Sequence, residues 1–329
     1  MLKFISAMVA GALALSAPAF AADNAMFRGK TITYIVSTGP GGGYDTYGRL
    51  LARYLPKYLP GARVIVRNVP GAGHIVGANT IYAARPDGLT FGIFNTGLIY
   101  DQLLGRGGIK FDLAKFTYLG KAADDTRAVV ISAKSGVKDF DAIMNAKTPV
   151  KFAASGIGSA AYIETRILQN ALHAPIQIVP GFDGNEAELS MLRNEVVALV
   201  GTANSLEPFV NNKNGFFALA ITENDSLMGV PKALPYAKDD GAKRLLSLIA
   251  TLSEIGRLTA GPPGIPAATT AVLREAVVNT MKDPEFVAEG MKLKLALDPA
   301  PGDQVETMVK AALDQPPETI AALKRAASQ

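Results

Sequence analysis

Thr31-Ile32-Thr33-Tyr34-Ile35-Val36 runs through Ser37-Thr38-Gly39-Pro40-Gly41-Gly42-Gly43 into a segment whose apolar positions are Tyr47, Leu50, Leu51, Tyr54, Leu55 and Tyr58. The first six residues are β-branched, apolar or aromatic, which predicts a strand. The glycines end it, and spacings of three and four then place one apolar stripe along a helix. Strand, glycine turn and helix in that order open an α/β layer. Outward from this core, Pro60-Gly61 stops the helix and Val64-Ile65-Val66 predicts the next strand. Asn68 to Gly73 turns into a helix through Ala84, Pro86-Asp87-Gly88 closes it, and Thr90 to Phe94 is a third strand.

The same device recurs. Val129-Val130-Ile131 predicts a strand and Phe140 to Ala146 a short helix. Val150 to Ala154 is a strand that enters Ser155-Gly156-Ile157-Gly158-Ser159, and a helix follows with Ile163, Ile167, Leu168, Ala171 and Leu172 on one face. Strands are expected at 176–179, 196–200 and 217–221, with a helix over 185–193. From about residue 248 the pattern turns helical, broken by Gly261-Pro262-Pro263-Gly264, Pro284, Pro299 and Pro316-Pro317. A helical tail of that size does not fold alone. The expected fold is therefore α/β with two lobes, each a mainly parallel sheet flanked by helices. Residues 22–125 form the first lobe, 126–247 the second, and 248–329 pack back onto the first, so the chain crosses twice.

Half of the residues are apolar and only 19% charged, which excludes intrinsic disorder. With no cysteine, disulfide scaffolds, thiolate nucleophiles and cysteine-held metals are excluded, and His74 and His173 lie too far apart for a multi-histidine metal site. The net charge of +4 is mild and no basic run occurs, which argues against nucleic acid as a partner. Met1 to Ala21 has Lys3, the apolar stretch Phe4 to Leu15, Pro18 and the small-x-small end Ala19-Phe20-Ala21. That is a secretory signal cleaved after Ala21, too short to be a membrane anchor. The expected product is an exported protein of a bacterial periplasm.

A strand that ends in glycines and opens a helix is suited to anions, because the first helical N–H groups lack internal partners and carry the positive end of the dipole. Gly39, Gly42, Gly43 and Gly158 allow close approach, while Ser155 and Ser159 add hydroxyl donors. Neither loop carries Lys or Arg, so an anion there would rest on neutral donors, which suits reversible binding of a carboxylate. The plainer alternative is a pair of ordinary βα turns that need glycine for positive φ. Neither glycine set fits the dinucleotide fingerprint, no acidic residue ends the second strand, and no phosphate-binding Gly-Lys-Ser/Thr occurs. No Gly-x-Ser-x-Gly accompanies the histidines. No cofactor and no catalytic residue is expected. His173 is expected at a helix end, His74 is open between surface and cleft, and Asp112, Asp124 and Asp125 are expected in turns and at the surface.

Taken together, these motifs resemble the receptors of tripartite tricarboxylate transporters. Pro40-Gly41-Gly42-Gly43-Tyr44-Asp45 with Arg49-Leu50-Leu51-Ala52 resembles the start of that family, and Asn68 to Gly73 with Ala83 to Gly88 its next block. Ala153 to Ser159, Val179-Pro180-Gly181-Phe182 and Thr259 to Pro266 follow in the family's order. The resemblance implies a monomeric periplasmic receptor that closes two hinged lobes on a small organic acid. It would deliver that acid to a membrane carrier of one large and one small subunit. It further implies that Thr38 to Asp45 and Ser155 to Ala160 hold the carboxylate, with Asn95 and Thr96 at the third-strand exit. Phe182, Asp183 and Asn204 complete the candidate set. This chain departs from the family at Ser37-Thr38-Gly39 and at Gly181 to Glu186, both at the expected pocket, so the ligand's identity does not carry over. Two other outputs stay open on the same scaffold, an exported hydrolase and a ligand sensor for a kinase.

Overall fold

A computed structural model describes residues 24–182, 185–222 and 227–328. The expected signal segment lies outside the described residues, as does Asp183. The anticipated strands and helices form, with shifts of a few residues at their ends. β1 (Thr31–Val36) leads into α1 (Gly43–Tyr54), then come β2 (Arg63–Asn68), α2 (Ile75–Tyr82), β3 (Thr90–Ile93), α3 (Leu98–Leu104) and β4 (Thr117–Lys121). The second lobe has β5 (Arg127–Ser132), α4 (Phe140–Met144), β6 (Val150–Ala154), α5 (Ala160–Ala171), β7 (Ile176–Pro180), α6 (Glu186–Leu192), β8 (Ala198–Thr202), α7 (Ala203–Asn211) and β9 (Gly215–Ala220). There follow α8 (Asp240–Ser253), β10 (Leu258–Gly261), α9 (Ala267–Lys282), α10 (Pro284–Lys292), β11 (Ala300–Pro301), α11 (Gly302–Leu313) and α12 (Pro317–Ala327).

Two sheets result. The first has the strand order β11-β4-β10-β3-β1-β2, the second β7-β6-β8-β5-β9. β1 runs parallel to β2 and β3, and β8 parallel to β6. Both sheets are mixed, because β10 is antiparallel to β3 and β4 while β5 is antiparallel to β8 and β9. Each of these two reversed strands directly follows a crossing between lobes. The chain leaves one sheet at the cleft edge and must enter the other there, so the entering strand runs away from the cleft.

The crossings 122–126 and 254–257 lie side by side. Ala122 N–H donates to the Arg257 carbonyl at 3.0 Å, Arg257 N–H to Ala123 at 2.9 Å, and Asp125 N–H to Ser253 at 2.7 Å. Gly256 permits this, since a Cβ there would stand 2.1 Å from the Ala123 carbonyl oxygen. On α1 and the turn that follows it, Tyr47, Leu50, Leu51 and Leu55 are buried, as the spacing requires, while Tyr54 and Tyr58 are half-buried. α9 and α11 pack on β4 of the first sheet, but α12 seats Ala322, Leu323 and Ala326 against α5 and α8. The tail thus touches both lobes.

Candidate functional site

A cavity of about 370 Å³ lies between the two sheets at their cleft edges. From the first lobe, Thr38, Gly41, Gly42, Gly43, Tyr44 and Asn95 line it. Gly41 has φ +90°, which places its N–H on Asp45 Oδ2 at 2.9 Å. Asp45 also accepts from Arg49 Nε at 2.8 Å and Asn68 Nδ2 at 2.9 Å. Burial works against its charge, but the bonds from Arg49, Gly41 and Asn68 outweigh that and hold it below the usual carboxylate range. Asp45 therefore fixes the loop and does not line the cavity. Thr38 differs: it is buried, it lines the cavity, and its hydroxyl has no hydrogen-bond partner among the described residues.

The second lobe supplies Ser155, Ser159, Phe182 and Asn204 from the expected set. Ser159 caps α5, its Oγ accepting from Tyr162 N–H at 3.2 Å. Gly158 and Ala160 face the other lobe instead. A Cβ on Gly158, at φ +93°, would fall 1.0 Å from Arg106 Nη1 and 2.7 Å from Asp101 Oδ1. The Ala160 backbone N lies 2.5 Å from where Gly97 would carry a Cβ. Gly73 in turn meets Ile157 O, Ser159 N and Gly158 C. Gly39 and Thr96 are outside the lining as well. Asn95 uses Oδ1 to accept from Gly97 N–H at 2.7 Å.

A third helix start enters that the glycine pattern did not reveal. α7 begins directly after β8, and Thr202, Asn204 and Ser205 face the cavity. Neither α1 nor α7 has a side-chain cap, whereas α5 has its serine. Ser205 stands so close to α1 that a Cβ on Gly43 would lie 2.2 Å from its Oγ.

Two arginines from outside the loops also reach the cavity, beside the neutral donors that the loops supply. Arg127 on β5 and Arg257 on the return crossing both line the cavity. Arg257 is 2% exposed; its Nη2 donates to Ser205 Oγ at 3.0 Å and lies 3.2 Å from Asp125 Oδ1. Its guanidinium stacks 4.0 Å from the Tyr44 ring centre and 5.1 Å from that of Tyr47. Its Nε and Nη1 have no hydrogen-bond partner among the described residues. Arg127 donates to Glu164 through Nε at 2.7 Å and to Thr202 through Nη1 at 3.1 Å.

Asp125 is the centre of this network rather than a surface residue. It is 1% exposed and accepts from Tyr44 Oη at 2.7 Å and from Thr202 Oγ1. Burial opposes its charge, and Arg257 and Arg127 more than offset that, holding the carboxyl below its ordinary value. An Asp-Asp pair normally marks solvent, and only the convergence of two distant arginines makes burial tolerable here. Lys121 pairs with Asp124. His74 is buried, lines the cavity and sets Nδ1 3.1 Å from the Ser37 carbonyl. His173 follows the end of α5 at φ +57°.

Glu188, in the first turn of α6, also lines the cavity and was not anticipated. Burial pushes its carboxyl up to about 7. Among the described residues, no group of His, Cys, Asp or Glu is arranged to hold a metal ion, and no helix is long and apolar enough to cross a membrane.

Residues 48–317 match the model of the tripartite tricarboxylate transporter family receptor. The chain is 27% identical over 300 residues to the UPF0065 protein in the TAR-I ttuE-ttuC' intergenic region of Agrobacterium vitis, covering 86% of this chain and 84% of that one. It is 26% identical over 220 residues to a UPF0065 protein of Pseudomonas sp. strain P51, where the match spans 65% of each chain. Among solved structures, the periplasmic binding protein BugD shares the fold with a TM-score of 0.75 at 18% identity, over 90% of this chain and 97% of that one. MatC from Rhodopseudomonas palustris, with bound malate, has a TM-score of 0.70 at 21% identity over 87% and 98% of the two chains. R. palustris Rpa4515 with adipate gives 0.74 at 16% over 91% and 97%.

Proposed function

The chain belongs to the tripartite tricarboxylate transporter receptor family, and from that premise we propose that it captures one small organic acid between its lobes in the periplasm. It hands that acid to a membrane carrier of one large and one small subunit, acting as a monomer and without chemical turnover. One observation carries this reading. Two uncapped helix starts, one from each lobe, meet at a cavity where the buried Thr38 hydroxyl has no partner among the described residues. Buried hydroxyls are ordinarily satisfied, and this one is left able to donate to a bound acid. A carboxylate at the cavity would accept from Thr38 and from the helix starts. The lobes divide at 125/126 and 247/248, and they hinge about the paired crossings. Export by the segment ending at Ala21 places the receptor where its carrier can reach it.

Titration calorimetry with mono-, di- and tricarboxylates tests the proposal. The expected result is one acid per chain, recovered unchanged after long incubation. Product that accumulates in proportion to protein, or binding by no acid at all, overturns it.

A further inference from the structure

The cavity wall carries one carboxylate that no described residue answers. Arg127 is matched by Glu164 and, at 4.0 Å, by Asp125, while Arg257 is matched by Asp125. Glu188 lines the same cavity and, among the described residues, makes neither a hydrogen bond nor an ion pair. Its neighbours on the wall include Phe182, Ala187 and Leu206, which belong to one apolar cluster. A first-turn glutamate is ordinarily placed for the helix dipole alone and then sits in solvent. This one is turned into a partly enclosed space instead. An unpaired carboxylate in such a place is costly unless something supplies the opposite charge.

A small molecule that fills a cavity of about 370 Å³ meets both the Thr38 side and Glu188. Arg257 Nε and Nη1, without hydrogen-bond partners among the described residues, can answer one carboxylate of the ligand, whereas a second carboxylate placed at Glu188 would face a like charge. We propose that the acid this receptor takes is zwitterionic, a carboxylic acid that also bears a protonated amine, and that Glu188 receives the ammonium group. The inference rests on the capture of an acid argued above, and it narrows that acid to one class.

The test compares pairs of equal chain length, adipate with 6-aminohexanoate and succinate with 4-aminobutanoate. Hexanoate serves as a probe of acid binding alone. Calorimetry at neutral pH is run on the wild-type chain and on Glu188→Gln. The expected result is that the wild type favours each amino acid over its dicarboxylate by tenfold or more. Glu188→Gln should lose about ten- to a hundredfold of the amino-acid affinity, the worth of a charge-assisted hydrogen bond. It should leave hexanoate unchanged and dicarboxylates unchanged or tighter. Because the Glu188 side chain bonds to no described residue and burial disfavours its charge, the variant should melt at or above the wild-type temperature. A wild-type preference for dicarboxylates, kept in Glu188→Gln, would mean that a protonated Glu188 donates to a second carboxylate, and the inference is then wrong. An equal loss for every acid would give Glu188 a structural role and overturn it too. If hexanoate binds while neither amino acid does, only this inference fails. If no acid binds either protein, the capture reading fails and this one falls with it.

Discussion

The two glycine loops look alike in sequence and do different work in space. In the first, Thr38, Gly41, Gly42 and Gly43 all line the cavity, and Asp45 holds the loop from behind. In the second, only Ser155 and Ser159 reach the cavity. Gly156 meets Gly73, and Gly158 meets the Arg106–Asp101 pair, both of the first lobe. The first loop therefore faces the cavity and the second mostly meets the other lobe. Glycine permits close approach in both cases, but what approaches is set by the facing element.

The widest separation should come from Gly158→Val. The substitution sets a branched side chain at positive φ and drives it into Arg106 of the other lobe. Strain of about 1–3 kcal/mol lowers stability whether the lobes are open or shut, while the collision with Arg106 acts only on the closed form. Affinity for the captured acid should fall about ten- to a hundredfold. Scattering at saturating ligand should show a larger radius of gyration than the wild type. A variant that binds weakly yet closes to the wild-type radius would mean that Gly158 serves the ligand directly, and the contrast between loops would collapse.

Thr38→Val probes the other loop with a near-isosteric change. It removes a hydroxyl that has no hydrogen-bond partner among the described residues, so stability should hold or rise slightly. Affinity should fall about tenfold, for a lost bond to a charged group of roughly 1.5 kcal/mol. The pairing of lost affinity with kept melting temperature marks a group reserved for ligand. A lower melting temperature with full affinity would place the hydroxyl among structural bonds instead.

How much of this was legible from residues alone depended on range. β1 and α1 could be read because a β-branched run and a spacing of three and four are local signals. β4 was passed over, since Gly120 and Lys121 interrupt its apolar run, and α7 was masked by Pro208 and by starting directly at the end of β8. The loops themselves were found, but their division of labour was not, because it depends on Gly73, Arg106 and Ser205 arriving from elsewhere. Arg257 carried one local hint, an arginine just before the strand that re-enters the first sheet. Its meaning comes from Asp125, Ser205 and Tyr44, all distant in the chain. Glu188 left no signal beyond a charge near a helix start, the commonest place for one to mean nothing.

The smallest effect, and the finest test of the contrast, belongs to Ser159→Ala. Sequence alone puts the Ser159 hydroxyl on the anion. The structure gives its oxygen to Tyr162 N–H as the cap of α5, with the side chain buried. Loss of such a cap costs typically about 1 kcal/mol, and the melting temperature should drop accordingly. The hydroxyl proton can still turn toward the cavity, since Ser159 is on its wall. But a donor that also accepts a capping bond is already oriented by it, and α1 and α7 offer the ligand helix starts with no such competitor. Affinity should therefore change less than about threefold, well under the tenfold of a full charged bond. Calorimetry and thermal melting on the same sample separate the two roles. A drop of tenfold or more in affinity at unchanged melting temperature would return Ser159 to the ligand, and the second loop would then share the work of the first.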